Sequence, residues 1–158
     1  MPKSKSVLKK VEEKKVVKIS EKHIPSEFFQ NRKGLYIWSS FTNNISDKAE
    51  ETEAGKEFKI SSFELTKDLT DEEIEKELPK EHLFSETDVC AIIAGLIEKQ
   101  PKGEEGTLLN TGYANLFYTS SRVVCVHCRG GGWFVFVWER DDDEWLEGGR
   151  VFSPATEI

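Results

Sequence analysis

No stretch of this chain runs for about 18 apolar residues, so the sequence offers no ordinary transmembrane helix. The lysine-rich start has no apolar block of about 7–15 residues behind it, which argues against a secretory signal. Cysteine is scarce and odd in number. Three in 158 residues make no disulfide framework, and the expectation is a reducing, cytoplasmic setting. The glycines fall in neither G-x-x-x-x-G-K-[ST] nor G-x-G-x-x-G between a strand and a helix, so phosphate cradling has no support. The acidic run Asp141-Asp142-Asp143-Glu144 lacks the spaced ligands and glycine of an EF-hand loop and reads first as a polar turn. There is no repeat at the 20–50-residue scale and no low-complexity block.

What is present fits one packed domain: 158 residues, 37% hydrophobic and 11% aromatic. The charge is uneven. Residues 1–22 hold eight Lys against three Glu, a net of +5, which leaves −12 on the rest of a chain whose formal total is −7. The expected organisation is therefore a basic, flexible N-terminal arm over 1–22 and a single globular domain over 23–158. Such an arm can meet nucleic acid or an anionic surface by counterion release, with Lys3, Lys5, Lys9, Lys10, Lys14 and Lys15 as the contacts. The plainer reading is a solvated terminus. No aromatic residue stands among those lysines to stack on bases, and the acidic body would repel a phosphate backbone. Val16-Val17-Lys18-Ile19 could instead add a short edge strand guarded by lysines.

Along the body, Pro25 suits a first helical turn, and Leu35-Tyr36-Ile37-Trp38 reads as a strand. Trp38, Phe41 and Ile45 are spaced three and four apart, predicting a helix near 40–50, with a strand continuing to Phe41 as the alternative. Glu57 to Leu65 is strand-like but changes parity, so it needs a bulge near Ser61-Ser62 or two apolar faces. Thr70 followed by Asp71, Glu72 and Glu73 starts a helix that Pro79 stops. The clearest helix runs over about 85–100, capped by Ser85, with Val89, Ile92, Ile93, Leu96 and Ile97 as its stripe. Then the period drops to two. Ala114–Thr119, Arg122–Arg129, Trp133–Arg140 and Arg150–Ser153 predict an antiparallel meander of about four strands, because short turns between successive strands leave no room for parallel crossovers. Trp133 to Trp138, apolar on both faces, is expected at its centre under the main helix. The predicted fold is thus α+β: a C-terminal meander packed on one main helix, with a mixed N-terminal half.

Four segments, Arg32 to Phe41, Leu78 to Ser85, Leu108 to Tyr118 and Gly149 to Ser153, carry a resemblance. Over roughly 23–155 the chain resembles a set of small uncharacterised bacterial proteins, associated with bacteria of reduced genome. The resemblance implies a bacterial single-domain protein and supplies no catalytic residues to carry over.

The sharpest chemical string is Cys125-Val126-His127-Cys128. A thioredoxin-like pair needs its first Cys at a helix N-terminus, whereas Arg122-Val123-Val124 precedes this one as a strand. Zinc is the remaining chemistry, with Cys125, His127 and Cys128 as ligands and Cys90, His82 or His23 completing the set. Strand alternation would turn Cys128 away from the other two, which favours small buried core thiols. Four Trp in a chain this size should mostly be core, but an exposed Trp138 near Arg140 or Arg150 would be a recognition feature. With no catalytic constellation in view, the leading expectation is a non-enzymatic binding module with a protein partner. A metal- or thiol-dependent protein and polyanion contact through the arm are the alternatives, and no cofactor is predicted beyond that zinc.

Overall fold

Local signals set most of the helices. In the computed structural model, which describes residues 7–155, Pro25 opens α1 (Pro25–Phe28) and α2 (Ser39–Asn44) leads into a 3-10 turn at Ser46–Lys48. Helix α3 (Asp71–Glu77) begins in a full capping box. Thr70 Oγ1 accepts the Glu73 amide at 3.3 Å, and the Glu73 carboxylate accepts the Thr70 amide at 2.9 Å. Helix α4 (Glu86–Lys99) is capped by Ser85, whose hydroxyl accepts the Asp88 amide at 3.1 Å, and it buries Val89, Ile92, Ile93, Leu96 and Ile97.

The strands, in chain order, are β1 (Leu8–Lys18), β2 (Leu35–Ile37), β3 (Glu57–Leu65), β4 (Leu69–Thr70), β5 (Asn115–Tyr118), β6 (Val123–Arg129), β7 (Gly132–Trp138), β8 (Glu144–Trp145) and β9 (Arg150–Pro154). Seven form one mixed sheet in the order β1-β3-β9-β5-β6-β7-β2, and β4 pairs with β8 beside it. This corrects the expected C-terminal meander on one helix. Strands β5, β6 and β7 do run as antiparallel neighbours, with Gly130 and Gly131 taking the positive φ that a tight hairpin turn demands. The next strand of this sheet breaks the order. β9 crosses back to lie parallel to β5 and antiparallel to β3, so the sheet continues into N-terminal strands. β7 is not central either: it lies one strand from the edge, where β2 pairs with it in parallel.

Residues 8–18 belong to the lysine-rich start. They form β1, an edge strand pinned to β3, with Leu8 and Val17 buried and most of the residues between them exposed. Two register shifts and exposed lysines break up its outer edge, the usual protection against further strand pairing. Lys3 and Lys5 lie outside the described residues. Gly95 lets this strand approach α4, because a Cβ there would stand 2.8 Å from Val17 Cγ1. β3 resolves its parity change as a two-sided strand: Phe58 and Ile60 pack on one face, Phe63 and Leu65 on the other, with no shift against β9.

Two cores result. One face of the sheet, with Trp133, Val135, Val124, Phe117 and Phe152, packs on α4 together with Phe29, Phe41 and Ile45. The other face, with Leu116, Tyr118, Val123, Cys125 and Phe136, packs on Leu69, Ile74 and Leu78. That second cover is short, and it stops at Phe136.

Candidate binding face

Beyond Phe136 the second face of the sheet is open, and it is aromatic. Period-two alternation brings Phe134, Phe136 and Trp138 of β7 to this side, and the pairing of Tyr36 with Phe134 adds Tyr36 and then Trp38. Tyr36 stacks on Phe134 at 4.8 Å, Trp38 tilts against Phe136 at 5.2 Å, and Phe136 meets Trp138 edge-on at 5.9 Å. Such pairs contribute about 0.5–1.5 kcal/mol each, so the rings are held in place by one another. They are nevertheless wet: Tyr36, Trp38 and Trp138 are 40%, 52% and 49% exposed. A contiguous exposed apolar strip of this kind is a candidate interaction surface.

The strip ends in a cleft of about 300 Å³ lined by Phe136, Trp138 and Trp145, with Asp71, Glu139, Asp141, Asp143 and Glu144 around them. Asp71 is its buried anchor. Its carboxylate accepts the Tyr118 hydroxyl at 2.7 Å, the Trp145 indole N–H at 2.8 Å and the Asp141 amide at 3.2 Å. Burial and the adjacent Asp71 charge push the Tyr118 phenol far up, so it stays protonated and donates to Asp71. Behind Asp71, Arg140 donates to Glu75 at 2.6 Å and also to the Thr119 carbonyl, and His82 meets Glu75 at 2.7 Å. Burial alone would raise the Glu75 carboxyl, but the bonds from Arg140 and His82 overcome it and hold the group below its usual value.

The sequence-flagged residues fall out unevenly. Trp138 stands in the strip. Arg140 lies close by, yet its guanidinium is spent on Glu75, on Thr119 and on the Tyr118 ring, 5.4 Å away. Arg150 shares the parity of Phe152 on β9 and so belongs to the opposite face, where it donates to the Thr107 carbonyl at 2.8 Å. The three do not form one surface.

Cys125 and Cys128 are likewise separated: Cys125 lies in the core beneath α3 and Cys128 in the core beneath α4. His127 packs between Phe134 and Phe136, at 5.2 and 5.4 Å. One ion cannot reach all three, and among the described residues no three His, Cys, Asp or Glu side chains are grouped to hold a metal. Burial raises the thiols of Cys90, Cys125 and Cys128, which disfavours their thiolate forms.

Lys9, Lys10, Lys14 and Lys15 sit on β1, at the sheet edge opposite β2, about 29 Å away across six strand spacings of about 4.8 Å. A second cleft, of about 260 Å³, lies against α4 near His23 and Glu98. Burial lowers the His23 imidazole, and burial with Glu21 raises the Glu98 carboxyl.

No protein-family model, curated protein or solved structure matches the chain. No helix among the described residues is long and apolar enough to cross a membrane. Sequence reasoning missed Tyr36, Trp38, Phe134, Phe136, Asp71 and Trp145 as site residues. The available signals were the shared parity of Tyr36 and Trp38 and the placing of Trp145 directly after four carboxylates.

Proposed function

We propose that the protein is a small non-enzymatic binding module that docks a basic protein segment on the aromatic face formed by Tyr36, Trp38, Phe134, Phe136 and Trp138. The exposed, mutually packed strip carries this reading. Aromatic anchors supply most of the binding energy at protein interfaces, and the carboxylates around the adjoining cleft favour a partner of positive charge. Nucleic acid is the poorer fit, because the lysines and the stacking rings occupy opposite edges of the sheet. The resemblance to small bacterial proteins and the three unpaired, buried thiols support a bacterial cytoplasm as the setting.

The test is calorimetry with short basic, neutral and acidic peptides matched in apolar content. Basic peptides should bind, and Tyr36→Ala with Trp38→Ala should weaken them by about tenfold or more. Equal binding by the variant, or no preference for basic peptides, would overturn the reading. So would a concentration-dependent dimer lost in the same variant, since the face would then serve a second copy of the chain.

A further inference from the structure

The cleft at the end of the strip is more particular than the strip itself. Phe136 closes it, Trp138 and Trp145 wall it, and Asp71 fixes the Trp145 ring through the indole N–H. Asp71 brings a buried negative charge whose hydrogen-bonding partners are all neutral donors: a phenol, an indole and a backbone amide. Its field therefore reaches the cleft without a contacting cation, while its oxygens are already engaged. Asp143 and the exposed Glu144 add carboxylates at the mouth.

These features select among cations. A primary ammonium is strongly hydrated and would surrender its water to aromatic faces and an engaged carboxylate. A guanidinium is more weakly hydrated, stacks flat on indole, and can extend its N–H groups to the carboxylates at the mouth. We infer that the cleft between Trp138 and Trp145 seats an arginine side chain of the partner, a specificity that rests on the binding-face reading above.

The test titrates the full chain with N-acetyl-arginine amide, N-acetyl-lysine amide and tetramethylammonium chloride, following the Trp145 indole N–H signal by NMR. The arginine amide should bind about fivefold or more tightly than either other cation. Its affinity should fall with added salt and with the exposed double substitution Asp143→Asn, Glu144→Gln. Equal binding of the lysine amide or tetramethylammonium, no binding by the arginine amide, or indifference to the double substitution would overturn the inference. The two readings separate cleanly. If the arginine amide fails while Tyr36→Ala and Trp38→Ala still weaken basic peptides, the seat is wrong and the binding face stands. If the amide binds while peptides ignore Tyr36 and Trp38, the reverse holds.

Discussion

Removing one oxygen from Tyr118 should destabilise the whole domain measurably. The ring is fully buried between the sheet and Arg140, and its hydroxyl donates to the Asp71 carboxylate at 2.7 Å. Tyr118→Phe keeps the ring and its packing and deletes only this bond. A hydrogen bond to a charged group contributes about 1.5–3 kcal/mol, so the expected cost is about 2 kcal/mol. For a chain of this length that corresponds to a fall in Tm of about 4–8 °C. Urea unfolding should show a lower midpoint with an unchanged slope, since the surface exposed on unfolding is the same. In an Asp71→Asn background the same substitution should cost less, because the acceptor has lost its charge. A cost below about 0.5 kcal/mol, or full additivity with Asp71→Asn, would refute the claim that Asp71 anchors α3 and the cleft wall to the sheet.

Two further expectations concern the rest of the fold. Gly95→Ala should destabilise by about 1–3 kcal/mol despite its better helix propensity, because the new Cβ meets Val17 Cγ1 at 2.8 Å. Adding Val17→Ala should recover part of that loss, and amide exchange in β1 should report both changes; a neutral single substitution would contradict the close approach. Acid should also weaken the fold. Burial holds His23 and His127 below the ordinary imidazole value, with Arg129 adding to the effect on His127, so their contribution is complete above about pH 6.5 and shrinks as pH falls. Glu75, held low despite its burial, adds stability that is present above about pH 4.3 and lost below it. Glu98 is raised and works in the opposite sense, losing stability as pH rises from about 4.3, so Glu98→Gln should steepen the rise of stability with pH above about pH 4.3. Denaturation midpoints that do not fall between pH 7.5 and 5.5 would contradict this.

What the sequence disclosed was local. The caps at Thr70 and Ser85, the apolar stripe of α4 and the tight turn between β6 and β7 are decided by residues a few positions apart, and they were legible. The return of β9 to β5 was not, because an eleven-residue separation from β7 looks the same whether the chain pairs next door or crosses the sheet. β1 hid behind its lysines: only Leu8 and Val17 are buried, and an edge strand shares its composition with a solvated tail. Little of the candidate site was legible. Trp138 stood out, but the cleft joins Asp71 to Trp145 across seventy-four positions, and no local pattern announces that contact. Arg140 and Arg150, close to tryptophans in sequence, are drawn off by Glu75 and by the opposite face.

The four indole N–H groups give the most direct test of the binding face. Trp133 donates to the Gln100 carbonyl at 2.6 Å inside the α4 core, whereas Trp38 and Trp138 are about half exposed on the strip. On titration with a basic peptide, the indole signals of Trp38 and Trp138 should shift together while that of Trp133 stays fixed. A peptide that binds while leaving Trp38 and Trp138 unmoved, or that perturbs the β1 lysines instead, would contradict the account.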